Sequence, residues 1–247
     1  MCRSLYIFLI CILLFNCSSS DFKISLDNEN INSADTSNML DSINVQLKTK
    51  IDSFFLAKHR KGLFNGNVLF ADKNKVILKK SYGLSNRKKK DSLLLESTFQ
   101  LASASKPFTA IAVLQLCEKG LINLEDTIQK FIPNFPYSGI DIHQLLSHRS
   151  GLSQYTHFCD SPDSIWPNKS KTISNEDVIK IINRTVPLIN YPPNKKYYYC
   201  NTNYVLLASI VEKVSGLKFS DYLNSYVFIP AGMRNTKLFT RDNFDEL

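Results

Sequence analysis

The apolar positions along the chain recur in two rhythms, and the change of rhythm organises it. Leu40, Ile43, Leu47, Ile51, Phe54 and Phe55 repeat at helical spacing and predict an amphipathic helix ending before Gly62. Two short runs follow, Val68-Leu-Phe70 and Val76-Ile-Leu78, split by Asp72-Lys-Asn-Lys75; this is the pattern of a β-hairpin, with Tyr82-Gly83 closing its second strand. Phe108, Ile111, Ala112, Leu114 and Leu116 then return to helical spacing, on a helix that opens near Ser103 and closes at Gly120. Connecting turns and short helices are expected over Leu121–Asp126 and Phe131–Pro133, and a brief helix over Ile142–Leu146 that stops near Ser150-Gly151. Ser174 with Asp177 is a capping-box-like start for a helix through about Asn190. Further helices are expected from about Asn203 to Val214, ended by Gly216, and over Phe219–Phe228. Tyr155 to Lys171, polar and irregular around the single Trp166, reads as a loop of the kind that walls a site. No internal repeat is visible.

The first residues follow a different logic. Arg3 gives a positive start, and Leu5 to Phe15 form an apolar run too short to span a bilayer comfortably. Leu14-Phe-Asn-Cys17, followed by Ser-Ser-Ser-Asp, resembles a bacterial lipoprotein signal in which Cys17 becomes the lipidated first residue. Residues 1–16 are therefore expected to be a signal peptide and 17–38, rich in Ser, Asn and Asp, a flexible tether; 39–247 would form one domain. The protein is expected to be exported and held by a lipid anchor at the membrane, facing the periplasm or exterior; plain secretion by cleavage nearby is the alternative.

A length of 247 residues supplies ample core, and 44% hydrophobic with 21% charged residues is an ordinary globular balance. The net charge of +8 favours weak association with anionic surfaces. Part of the excess sits in Lys79-Lys80 and Arg87-Lys88-Lys89-Lys90, but no nucleic-acid motif or interleaved aromatics accompany it, so the run reads as a solvated turn and no nucleic-acid partner is expected. Beyond Cys17, the odd set Cys117, Cys159 and Cys200 makes neither a disulfide framework nor a metal signature. His59, His143, His148 and His157 show no ligand spacing, and no metal site is expected.

The candidate chemistry begins at Phe99-Gln-Leu-Ala-Ser-Ala-Ser-Lys-Pro-Phe-Thr-Ala110. Ser103 and Lys106 stand one turn apart where an extended segment gives way to a helix, so the amine lies within reach of the hydroxyl. Pro107 is tolerated because first-turn amides lack intrahelical partners. Burial and the helix dipole would both disfavour the ammonium, making Lys106 a candidate base. The pattern alone is unspecific: Ser-x-x-Lys also begins at Ser20, Ser85 and Ser215. Tyr199-Cys-Asn201, on a loop before a helix, adds a phenol and an amide able to face one site; the other Tyr-x-Asn, Tyr222-Leu-Asn224, lies inside a helical segment where the two side chains diverge.

Taken together, Ser103-x-x-Lys106 and Tyr199-x-Asn201 resemble the serine β-lactamase and penicillin-binding protein family, in its branch of class C β-lactamases, D-alanyl-D-alanine peptidases and esterases. Ser81-Tyr-Gly83, Thr98–Ser103, Leu145-Leu-Ser-His-Arg-Ser-Gly-Leu152 and Pro230-Ala-Gly-Met-Arg-Asn-Thr236 look like that family's phrases in the same order, over about Ile51 to Leu238. The resemblance implies an α+β fold: an antiparallel sheet flanked by helices, with a helical subdomain. It implies that Ser103 is acylated, that Lys106 takes or shares its proton, that Tyr199 relays a proton to the leaving group and that Asn201 holds Lys106 and the substrate carbonyl side. The Ser103 amide would donate to the oxyanion. Amides or esters, small or peptidoglycan-derived, would be the substrates, with no metal or organic cofactor. Asn194, where glycine usually follows proline, and Cys200, in place of serine, depart from the pattern. The family's third motif, a Lys- or His-x-Gly strand, has no counterpart before Leu247, so the resemblance implies a C-terminally truncated domain that turns over poorly. Two rivals remain: a non-catalytic sensor or scaffold that keeps the acylation pocket, and an anionic-surface binder using Arg87 to Lys90.

Overall fold

The computed structural model describes residues 33–159 and 173–239. Cys17, most of the expected tether, the signal peptide and Trp166 lie outside the described residues. The chain divides into two compact units, with the boundary between Leu95 and Glu96.

In the first unit, helix α1 spans Ser33–Arg60 and so takes in residues 33–38, assigned to the tether from sequence. Nothing in that stretch breaks a helix once the amphipathic part has formed, because it holds neither Gly nor Pro. Lys58, His59 and Arg60 in its last turn suit the negative end of the helix dipole. Strands β1 (Gly66–Asp72) and β2 (Lys75–Tyr82) pair antiparallel in the expected hairpin. Their two-residue loop, Lys73-Asn74, has both residues at positive φ, the geometry whose twist matches the flanking strands. Asp52 of α1 ties helix to hairpin, accepting bonds from Lys80 Nζ at 2.7 Å and Tyr82 OH at 2.8 Å. Those two hydrogen bonds, Lys80's first, hold the Asp52 carboxyl below its usual range. Burial, followed by the bond to Asp52, pushes the Tyr82 phenol up to about 12. A second hairpin, β3 (Leu84–Asn86) with β4 (Asp91–Ser92), carries Arg87–Lys90 in its turn, where Asn86 Oδ1 accepts from the amides of Lys88 and Lys89.

The second unit is helical: α2 (Lys106–Glu118), α3 (Ile128–Phe131), α4 (Ile142–Leu146), α5 (Tyr155–Cys159), α6 (Asn175–Thr185), α7 (Asn201–Ser215) and α8 (Phe219–Leu223). α7 is the central strut, packing on α2, α3, α4, α6 and α8 through the buried Leu206, Leu207, Ile210 and Val211. Ala112, Val113 and Leu116 of α2 and Val178, Ile181 and Ile182 of α6 join the same core. Two expectations are corrected. Tyr155–Cys159 is a short helix rather than loop. α6 ends at Thr185, not Asn190, because Pro187 cannot continue a helix and Val186 turns left-handed at φ 44. The helix expected over Phe219–Phe228 is present, its last five residues, Asn224–Phe228, continuing α8 as a π-helical turn.

The capping box at α6 is complete: Ser174 Oγ accepts from the Asp177 amide at 3.1 Å, and Asp177 Oδ2 accepts from the Ser174 amide at 3.0 Å. Ser174→Ala removes one half of it and should cost about 1 kcal/mol. Urea unfolding should then show an earlier midpoint at unchanged slope; an unmoved midpoint would deny the cap its role.

Candidate active site

Ser103 lies in a 3₁₀ turn, Ala102–Ser105, that leads directly into α2, whose first residue is Lys106. In a 3₁₀ turn residues three apart eclipse one another, so the serine and lysine side chains stand side by side. Ala102 takes φ 46 to enter the turn, an uncommon conformation for a residue with a Cβ. Lys106 Nζ reaches three acceptors: Ser103 Oγ at 3.1 Å, Tyr199 OH at 2.6 Å and Asn201 Oδ1 at 2.8 Å. An ammonium has three hydrogens, and this arrangement gives each one a partner. Tyr199 OH and Ser103 Oγ are 2.6 Å apart, so the two hydroxyls share a proton position. All four residues named from sequence therefore meet at one point. The burial expected there is partial: Lys106 is half-buried, while Ser103 and Tyr199 face solvent.

Tyr199 and Asn201 arrive from far along the chain and are held by backbone bonds on either side of Cys200. Gln154 bridges the turn, donating from Nε2 to the Tyr199 carbonyl and accepting at Oε1 from the Asn201 amide, both at 2.8 Å. His148 Nδ1 accepts from the Cys200 amide at 3.1 Å. Thr202 Oγ1 donates to the Ser153 carbonyl at 2.6 Å and accepts from the Tyr155 amide. The segment 148–155 is thus a cradle for 199–202. It also holds the preceding loop: the Arg149 carbonyl accepts from the Asn194 amide, and the Gly151 carbonyl accepts from the Asn190 amide, each at 2.8 Å. Asn194 sits at φ 61, a conformation asparagine tolerates, which explains how it serves where glycine is usual. Cys200 is fully buried and its Sγ contacts the Ser153 carbonyl at 3.4 Å.

The electrostatics centre on Tyr199. Its hydrogen bond to Lys106, then that to Ser103, lowers the phenol from its usual range, against the opposing pull of partial burial. Lys106 also lies over the Tyr199 and Tyr204 rings, at 4.9 and 5.5 Å from their centroids. Burial raises the Tyr204 phenol and the Cys200 thiol.

The other Ser-x-x-Lys and Tyr-x-Asn matches have local duties. Ser85 Oγ donates within its hairpin, and Ser215 Oγ donates to the Val211 carbonyl at the end of α7. Tyr222 is buried, with its hydroxyl on Gln115; Ser20 lies outside the described residues. His148, Gln154 and Tyr204 were not singled out from sequence. The stretch Leu145–Leu152 is the sequence signal that lies near them. Among the described residues no three His, Cys, Asp or Glu side chains gather as metal ligands, and no helix is long and apolar enough to cross a membrane.

A serine with a lysine one turn on, converging with a tyrosine and an asparagine at the start of a buried helix, defines a site of the serine-hydrolase class. The Beta-lactamase family signature matches residues 52–246, and the chain belongs to that family, whose members are serine hydrolases of penicillin-binding-protein and β-lactamase type. It is 37% identical to Penicillin-binding protein 4* of Bacillus subtilis over 192 residues, 77% of this chain and 42% of that protein. Among solved structures, a penicillin binding protein from Bacillus halodurans superposes with a TM-score of 0.63 at 26% identity, over 76% of this chain and 58% of that one. FmtA from Staphylococcus aureus does so with a TM-score of 0.66 at 25% identity, over 91% and 57%. The chain thus spans about two fifths of the curated relative it matches. The fold is of the β-lactamase/transpeptidase type, an α+β arrangement as expected.

Proposed function

We propose that the chain carries the acylation centre of an exported serine hydrolase acting on amides or esters, with Ser103 as nucleophile. The observation that carries this reading is the Lys106 ammonium within hydrogen-bond distance of Ser103 Oγ, Tyr199 OH and Asn201 Oδ1. Ser103 Oγ attacks the carbonyl carbon while its proton passes to the Tyr199 oxygen, whose unprotonated form the hydrogen bond from Lys106 favours. The Ser103 amide donates to the oxyanion. The C–N or C–O bond breaks as Tyr199 returns the proton to the leaving group, and water then releases the acyl group from Ser103. Asn201 positions Lys106 and faces the carbonyl side of the substrate. No cofactor enters the scheme. Small-molecule and peptidoglycan-derived amides are the proposed substrates. Lipidation at Cys17 and a place at the membrane, in the periplasm or outside it, belong to the same proposal.

Incubation with a fluorescent penicillin and with a fluorophosphonate, followed by peptide mass mapping, tests it. The expected result is a covalent adduct on the peptide containing Ser103. An adduct elsewhere, or none with either reagent, refutes the reading. A Ser103 adduct that persists without release would instead favour the sensor.

A further inference from the structure

The phrase His148-Arg-Ser-Gly151 places a histidine behind the reactive groups. The imidazole is 8% exposed, and its residue takes φ 56 at the end of α4. A left-handed backbone is uncommon for a residue with a large side chain, and such positions collect at functional sites. The ring packs against Tyr199 at 4.6 Å, Tyr204 at 5.2 Å and Tyr197 at 6.0 Å between centroids. Two N–H donors aim at one ring nitrogen: Nδ1 lies 3.1 Å from the Cys200 amide and 3.4 Å from Asn203 Nδ2. Asn203 Oδ1 is meanwhile occupied by the Ser150 hydroxyl at 2.6 Å, which leaves its NH₂ for the imidazole. The His148 carbonyl accepts from the Tyr198 amide at 2.8 Å, so the same residue grips the loop at two points flanking Tyr199.

We propose that His148 is a positioning residue for this centre: its uncharged imidazole, accepting at Nδ1, clamps the Tyr199–Asn201 backbone and ring against Lys106 and Ser103, and protonating it releases the clamp. A proton on Nδ1 would turn the acceptor into a donor facing the Cys200 and Asn203 N–H groups. The titratable groups that face the ring are Lys106 from α2, Tyr197, Tyr199 and Cys200 from the loop, and Tyr204 from α7. Burial, then the Lys106 charge, holds the imidazole below its usual range, so the clamp is closed at neutral pH and opens as the medium turns acid. An anionic Tyr199 pulls the other way, which couples the two groups.

The inference rests on the proposed acylation of Ser103, and the test separates the two. In the full chain with nitrogen-15 histidine and carbon-13 tyrosine, NMR at neutral pH should show Nδ1 bare and Nε2 protonated. The Tyr199 ring signal should then move on acidification with the same midpoint as His148, below the ordinary imidazole value of about 6.5. His148→Asn keeps an acceptor near the Nδ1 position and tolerates the left-handed backbone. It should retain labelling by fluorescent penicillin at neutral pH and lose the acid limb of the rate profile. His148→Ala should slow labelling on the order of 10²-fold, the cost of misplacing a reacting group by about 1 Å. A protonated Nδ1 at neutral pH, or a Tyr199 signal indifferent to the histidine's titration, overturns the positioning role without needing any variant. A wild-type chain that takes no label at any pH overturns the acylation reading instead, and the NMR result still decides what the imidazole does.

Discussion

Replacing Lys106 with methionine should slow acylation of Ser103 by on the order of 10²–10⁴-fold with the fold intact. Methionine preserves the unbranched, half-buried stem and removes only the ammonium, so little packing is lost. Three oxygens lose their donor at once: Ser103 Oγ, Tyr199 OH and Asn201 Oδ1. The consequence for Tyr199 has a definite sign. Its bond to Lys106 is the first cause of the lowered phenol, so without that bond the titration should climb back toward the ordinary tyrosine value of about 10. The phenol then holds its proton more tightly and accepts the serine proton poorly. Rapid-mixing measurement of penicillin labelling gives the rate, and an ultraviolet difference titration gives the phenol. A Lys106→Met protein that labels as fast as wild type, or whose Tyr199 titrates as before, would remove the ammonium from the mechanism.

Among the glycines, Gly151→Ala should produce the largest loss of stability, because its added Cβ meets backbone atoms at the shortest distance. Gly151 sits at φ +74, and a Cβ there would lie 1.8 Å from the Tyr191 carbonyl oxygen and 2.8 Å from its carbon. These are backbone atoms and cannot swing aside, since the Gly151 carbonyl also takes the Asn190 amide at 2.8 Å. The two strands of chain must separate, and the cradle around Tyr199 loosens with them. A cost of about 3 kcal/mol or more is expected, combining overpacking and a strained backbone. Gly139→Ala is the internal control: φ is +73 but nothing lies within 4 Å of the added Cβ. That change should cost only the conformational part, about 1–2 kcal/mol. Urea midpoints for the two variants measure the difference, and equal losses would show that the contact with Tyr191 is not the cause.

How much of this was readable in the sequence depends on the range of the interaction. Ser103 and Lys106 are three residues apart, and local helical geometry alone brings them together. Lys106 and Tyr199 are 93 residues apart, and no periodicity links them. Only the resemblance to a family, carried by several phrases in order, joined the two pairs. His148 and Gln154 escaped because they act on backbone atoms of Tyr199, Cys200 and Asn201, and such contacts demand no particular residue type at the other end. In the fold, Val68–Phe70 and Val76–Leu78 were long enough to show as strands, whereas Leu84–Asn86 and Asp91–Ser92 are too short to carry any alternation. The end of α6 was a different kind of miss. Pro187 marks the stop at Thr185, while the apolar residues Val186, Leu188 and Ile189 carry the hydrophobic pattern on past it.

Asn201 opens α7, and α7 is the helix around which every other large helix of its unit is laid. The group that steadies the lysine is therefore anchored to the helix that should exchange its amide hydrogens most slowly in this unit. Fraying at that helix end cannot proceed far without exposing the buried Leu206 and Leu207, so thermal inactivation and collapse of this helical unit should coincide in one cooperative event.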